Sequence, residues 1–345
     1  MKHWQIHEGL HAPVNVTWEI TNQCNLSCIH CLSESGRGRE GELTFDQCLS
    51  VIDQLSSHQV FQVNFGGGEP FIRRDFPSII EACHRRGIVT CISTNGTLLD
   101  DRVTDFLRGG DMVYLQVSLD GGSSATNDLI RGPGTFKEIV DGFERLHTAE
   151  IPFSINTVLT RLNYPEISSL YSLAKRYGAK LRISRFRPSG RGKAAWESLH
   201  PGKDQLKAFS QWLSVHTDVV TGDSFFSLED EDRKGLGLNL CGAAKFTCCI
   251  DYDGSVYPCA FLRDDLFYGG NIINRSLGDI WSHARGFTLL RTLKVQSCES
   301  CFRYDSCHGG CPAIAYFTQR TLGVPDPDCL VNCLGAGARI PCSDQ

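Results

Sequence analysis

The chain has 345 residues, 41% of them apolar and 21% charged, with a net charge of -5. That length suffices for a full core divided into one larger and one smaller domain, and the weak acidic balance excludes the basic excess with which nucleic-acid-binding proteins neutralise phosphates. The opening MKHWQIHEGLHAPVNVTWEI holds no continuous apolar h-region, and no later run reaches the roughly 20 apolar residues of a membrane span, so the sequence predicts a cytoplasmic protein with neither nucleic acid nor membrane as partner.

From Asn15 to Asp218, short apolar, β-branched runs alternate with stretches of helical period, the pattern of βα units around a parallel sheet. The predicted strands run Asn15 to Ile20, Val60 to Phe65, Ile88 to Thr94, Tyr114 to Leu119, Phe153 to Thr160 and Lys180 to Phe186, each followed by a helix. Thr44 with Gln47, and Thr135 with Glu138, predict capping boxes at two helix starts. The stretch Tyr164 to Tyr177 closes at Gly178, a C′ residue. Six units are too few for a closed eight-stranded barrel, which leaves a partial barrel or an open sheet; in both, ligands gather at the carboxyl ends of the strands. Those ends are polar or glycine-rich: Glu19, Gly66 to Pro70, Thr94 to Gly96, Ser118 to Gly121, Asn156 and Arg185 to Gly192.

The seventeen cysteines are unevenly spread. Without a secretion signal they argue against a disulfide framework, because the cytosol keeps thiols reduced, and metal ligation takes its place. Cys24, Cys28 and Cys31 follow the first strand, no cysteine falls between Cys91 and Cys241, and eleven lie from Cys241 onward. Three thiolates on one loop hold three irons of a four-iron cluster and leave the fourth open. Structural zinc would want a fourth protein ligand, and the next cysteine, Cys48, sits on a predicted helix. Cys48, Cys83 and Cys91 occupy apolar positions and read as small buried hydrophobes. Cys333 and Cys342 read as spare thiols.

The spacing Cys24-x3-Cys28-x2-Cys31 after strand one resembles the signature of the radical S-adenosylmethionine (SAM) superfamily. In that family SAM chelates the open iron, and one electron breaks its sulfonium bond to give a 5′-deoxyadenosyl radical. The resemblance implies a partial (β/α)6 barrel, an α/β fold. It implies SAM contacts at Gly67, Gly68, Glu69 and Pro70, which resemble the motif that binds the methionine amino group. Ser118 and Arg131 match positions that bind the SAM carboxylate, where a guanidinium can act bidentately. Ser93 or Asn95 would stand beside the nucleoside, and His30 occupies the usually aromatic place against adenine.

Cys241, twelve residues to Gly254, four to Cys259, then Cys298-x2-Cys301-x5-Cys307-x3-Cys311 and Cys329 resemble the cysteine-rich SPASM domain. That resemblance implies auxiliary cluster I on Cys241, Cys248, Cys259 and Cys311, with Cys249 as a rival to Cys248, and auxiliary cluster II on Cys298, Cys301, Cys307 and Cys329. With the SAM cluster the cofactors become three [4Fe-4S] clusters and SAM. The expected domains are an N-terminal extension over 1–13, the barrel over 14–200, a bridging helix and linker over 201–235 and SPASM over 236–345.

Ala12 to Glu19, His30 to Ser33, Asn64 to Pro70 and Val324 to Cys329 are most similar to the mycofactocin maturases and related spliceases. This implies an enzyme that modifies a ribosomal precursor peptide at or beside a tyrosine, by oxidative decarboxylation and cross-linking or by tyramine-excising splicing. The alternatives are a thioether-forming or protein-maturing SPASM enzyme, an iron-sulfur electron carrier, or a zinc module. About thirteen residues precede strand one, too few for a fused winged-helix recognition domain. The expected partners are therefore the peptide, a separate small recognition protein, and an electron donor such as flavodoxin or ferredoxin. No side chain is singled out as an acid or base.

Overall fold

The computed structural model describes residues 10–109, 113–221, 241–301 and 303–330. Most of the N-terminal extension, the linker beyond Thr221, Cys333 and Cys342 lie outside the described residues.

The strands form where the apolar alternation places them. They are β1 (Asn15–Thr21), β2 (Gln62–Gly67), β3 (Val89–Thr94), β4 (Val113–Ser118), β5 (Phe153–Leu159) and β6 (Lys180–Arg185), each parallel to the next. The interleaved helices are α1 (Phe45–Ser57), α2 (Phe76–His84), α3 (Asp101–Arg108), α4 (Ser124–Arg131), α5 (Thr135–Thr148) and α6 (Ile167–Arg176). On β1, Val16, Trp18 and Ile20 are fully buried among the helices. Trp18 stacks on Phe65, and Phe65 meets Phe76 edge-on, so aromatic contacts join β1, β2 and α2. The helix α1 buries Cys48, Val51, Ile52 and Leu55 on one stripe, each aliphatic side chain contributing roughly 1.5–3 kcal/mol.

The capping box at Thr44 and Gln47 forms as expected. The one at Thr135 does not. Thr135 is already helical, its hydroxyl bonds Gly132 O, and the cap residue is Gly134 at φ 80°. Asp128, projecting from α4, satisfies the start of α5 instead by accepting from Gly134 N at 2.7 Å and Phe136 N at 2.8 Å. The helix α6 ends before Gly178 at φ 64°, as its C′ role requires.

Beyond β6 come α7 (Trp196–Leu199), α8 (Lys203–Val215) and β7 (Val220–Thr221), then a ribbon of β8 (Thr247–Ile250), β9 (Ser255–Tyr257) and β10 (Gly270–Asn271). The chain continues through α9 (Leu277–His283), α10 (Arg285–Thr292), α11 (Tyr304–Cys307) and α12 (Pro312–Gln319). One sheet runs β10-β9-β8-β1-β2-β3-β4-β5-β6-β7. The cysteine-rich module thus extends the barrel sheet, because β8 pairs parallel to β1 with Val16 opposite Cys248 and Thr17 opposite Cys249. Among the described residues no helix is long and apolar enough to cross a membrane.

Candidate iron-sulfur and SAM site

The face of the sheet turned away from the helix core is polar. Ser93 on β3 accepts from Gln116 on β4 at 3.1 Å, Gln116 accepts from Arg182 on β6 at 3.1 Å, and Ser118 lies beside Asn156 across the β4–β5 ladder. Cys91 shares this face with Ser93 and is half-buried, whereas Cys48 and Cys83 are wholly buried in the core as expected.

The cysteine loop closes over one end of this face and is fixed by its main chain. Ile29 N donates to Ile130 O at the end of α4, while Arg191 donates to Cys28 O at 2.9 Å and Ser35 O at 2.8 Å. Ser33 joins the loop to the glycine motif by donating to Gly67 O at 2.9 Å. Leu26 N and Asn95 Nδ2 donate to Cys24 Sγ at 3.4 and 3.7 Å. Burial, with Glu69 and Cys28 adding to it, pushes the Cys24 thiol up to about 11. The Cys28 thiol is raised too, by burial first and against the Arg131 guanidinium, with Cys31 adding to the rise. Two desolvated thiols on a loop with a third, and N–H donors already aimed at Cys24 Sγ, fit ligation by an iron-sulfur cluster.

Gly67 and Gly68 bring the end of β2 against this loop. A Cβ on Gly68 would stand 1.7 Å from Gln23 O, and Gly67, at φ 119°, would meet Thr21 O at 2.3 Å. Glu69 is fully buried and accepts from Asn95 N at 2.7 Å, Thr94 Oγ1 at 2.9 Å and Phe71 N at 3.2 Å. Burial lifts its carboxyl to about 7 against those donors. Pro70 opens a short 3-10 turn over Pro70–Ile72. Gly68→Ala will therefore remove most SAM cleavage, read as 5′-deoxyadenosine by chromatography, because only displacement of the cysteine loop relieves the clash. Gly66→Ala, whose Cβ would meet nothing nearer than Ser93 Cβ at 4.0 Å, will keep it.

His30 and Arg131 converge on Asp120. His30 Nε2 lies 2.9 Å and Arg131 Nη2 2.6 Å from the same carboxylate oxygen, and all three side chains are buried. Beyond the two ion pairs, His30 Nδ1, Arg131 Nε and Asp120 Oδ2 have no hydrogen-bond partner. Buried polar atoms of this kind cost free energy unless a ligand meets them, which fits SAM binding here.

The C-terminal thiols gather in two sets. Cys259 is raised to about 12 by burial and by its neighbours Cys241 and Cys311, and the Cys241 thiol is raised by burial and by Cys311. Cys298 feels Cys329 and Cys301, and Cys307, at about 11, feels Cys329 and Cys298 after burial.

The structure does not bring Cys248 to the first set. Opposite Val16 in the ladder, its side chain packs into the hydrophobic core, and burial alone raises its thiol, to about 12. Cys249 points the other way, 3.9 Å from Arg263, which also pairs with Glu19 at 3.1 Å and Asp251 at 3.4 Å. A second buried pairing escaped sequence reasoning. Arg185 on β6 grips Asp326 at 2.8 Å and Asp328 at 3.3 Å, and Asp326 also accepts from Cys311 N at 2.8 Å. One guanidinium thus ties the barrel to a main-chain donor in one thiol set and to the segment leading into Cys329 of the other.

A parallel half-barrel with three thiols after its first strand, a glycine-carboxylate turn after its second, and a cysteine-rich ribbon joined to its edge is the architecture of a radical SAM enzyme. Residues 18–174 match the model of the radical SAM superfamily and residues 241–308 that of the SPASM iron-sulfur cluster-binding domain. The chain belongs to the radical SAM/SPASM family. It is 42% identical over 332 residues to mycofactocin maturase MftC of Mycolicibacterium smegmatis, covering 94% of this chain and 85% of that protein. The AdoMet-dependent heme synthase of Methanosarcina barkeri is 30% identical, covering 92% and 97%. In fold, SuiB of Streptococcus suis bound to S-adenosylmethionine matches with a TM-score of 0.76 at 19% identity, covering 95% of this chain and 79% of that one.

Proposed function

We propose that this enzyme oxidatively modifies a ribosomally made precursor peptide at a C-terminal tyrosine, with loss of the carboxyl group. The observation that carries this reading is the 42% identity to a mycofactocin maturase along 94% of the chain, against 30% for the heme synthase. In it, Cys24, Cys28 and Cys31 hold the SAM cluster, whose chemistry once reduced is homolysis of the SAM sulfonium bond. Gly67, Gly68, Glu69, Pro70, Ser93, Asn95, Ser118, Arg131 and His30 shape the SAM pocket. Cys298, Cys301, Cys307 and Cys329 hold a second cluster, and Cys241, Cys259 and Cys311 supply three ligands of a third. The polar face of Gln116, Asn156 and Arg182 receives the peptide. The protein works in the cytoplasm with a separate small recognition protein and a flavodoxin or ferredoxin as electron donor.

The test is anaerobic incubation of holoenzyme with SAM, reductant, the recognition protein and a small precursor ending in tyrosine, read by mass spectrometry. Loss of carbon dioxide and two hydrogens is the expected result. Loss of a tyramine-sized internal piece would establish splicing, loss of two hydrogens alone would establish thioether chemistry, and equal modification of a precursor without tyrosine would overturn the tyrosine assignment.

A further inference from the structure

Asp120 is the one wholly buried carboxylate in contact with both His30 and Arg131. Everything around it fixes its position. Its Oδ1 accepts from Val158 N on β5 at 2.8 Å, its own N–H donates to Asn127 Oδ1 at 3.1 Å, and Asn163 Nδ2 donates to its carbonyl at 3.1 Å. Those partners come from β5, α4 and the turn before α6, so the carboxylate is referenced to the barrel frame and not to the cysteine loop. Its Oδ2 then holds one side chain from the cysteine loop and one from the last turn of α4. Burial alone would favour the protonated acid, but the Arg131 guanidinium and the His30 ring beside it outweigh burial and hold the carboxyl well below its ordinary range. The same anion raises the guanidinium above its own.

We propose that Asp120 is a positioning residue for SAM capture: by anchoring Arg131 to the barrel it aims the unpartnered Arg131 Nε at the carboxylate of the SAM methionine. The idea deepens the SAM-pocket reading and rests on Arg131 being a SAM contact. Arg131 uses Nη2 on Asp120 and keeps Nε–H free. Without the anchor, a buried guanidinium has several rotamers and no fixed direction, and a charge-assisted bond depends on direction.

The experiment compares SAM with decarboxylated SAM, the same sulfonium and nucleoside lacking only the carboxylate. Dissociation constants are measured by equilibrium binding to reconstituted holoenzyme, alongside iron content and thermal unfolding. Wild-type enzyme will prefer SAM. Asp120→Asn will weaken SAM by about tenfold or more while changing decarboxylated SAM far less, so that the preference collapses with iron content unchanged. Asp120→Glu keeps the charge but displaces the guanidinium by a methylene, and will lose the preference as well; it decides the matter if the asparagine variant does not fold. Arg131→Ala separates the two layers. If it keeps the preference, Arg131 does not meet the carboxylate and the underlying pocket reading fails. If it loses the preference while both Asp120 variants keep it, or if those variants weaken both ligands equally, the positioning role of Asp120 is overturned.

Discussion

Replacing Cys24, Cys28 and Cys31 together by alanine will abolish 5′-deoxyadenosine formation while removing only one cluster's share of iron. The three thiols lie on one loop, and no cysteine outside it is a main influence on the Cys24 or Cys28 thiol. The loop will keep its shape because its main chain is pinned from outside, by Arg191 on Cys28 O and Ser35 O and by Ile130 on Ile29. None of those contacts uses a cysteine side chain. The variant should therefore unfold thermally near the wild-type temperature and still hold the iron of the other two thiol sets. Product is read by liquid chromatography after dithionite reduction, and iron by colorimetric assay. SAM cleavage surviving in the folded triple variant would sink the assignment.

The barrel strands were legible where their apolar residues alternate, which on β1 holds only as far as Trp18, since Glu19, Ile20 and Thr21 after it are all buried. On β5, Phe153, Ile155, Thr157 and Leu159 are buried and the residues between them are not, so period and face could be read without a partner. The cysteine loop and the Gly67–Gly68 turn were legible because their chemistry is local in sequence. What could not be read was direction set by register. Whether Cys248 or Cys249 faces the core depends on β8 lying beside β1, two strands more than two hundred residues apart whose pairing no period reveals. The Thr135 cap failed for a related reason: Thr-x-x-Glu fits the box in sequence, but the N–H groups of Thr135 and Glu138 go to Gly132 O and Gly134 O, and Asp128 from the preceding helix takes those of Gly134 and Phe136. Asp120 stood in the motif containing Ser118, yet its role needed a histidine ninety residues upstream and an arginine on the next helix. Arg185 with Asp326 spans 141 residues. Each is a buried charge satisfied by a distant one, and a single sequence carries no signal that pairs them.

Replacing Cys298, Cys301 and Cys307 by alanine will remove one cluster's share of iron, leave reductive SAM cleavage in place and eliminate modification of the precursor peptide. The first outcome follows from the thiols themselves, since Cys298 and Cys307 both feel Cys329 while neither has Cys241 or Cys259 among the main influences on its thiol. The second follows from distance along the fold, because none of the loop's main-chain contacts at Cys28, Ile29 and Ser35 comes from this segment. The third follows from Arg185 and Asp326. Loss of the cluster frees the segment carrying Asp326, Asp328 and Cys329, and with it the buried carboxylate that holds Cys311 N and Arg185 at the carboxyl end of β6. That end borders the polar face assigned to the peptide. Breaking such a buried pair from one side costs about 3–5 kcal/mol, enough to disorder the junction without unfolding a barrel whose core lies on the other side of the sheet. Cys248→Ala is the matched control. Its thiol lies in the buried core and is raised by burial alone, with no other cysteine acting on it, so the variant will keep its full iron and its peptide activity apart from a small loss of thermal stability. Peptide turnover by mass spectrometry, 5′-deoxyadenosine and iron per chain, measured on the same preparations, separate the cases: a triple variant with all its iron would show that these cysteines are not ligands, and a Cys248→Ala protein short of one cluster would return Cys248 to the first set.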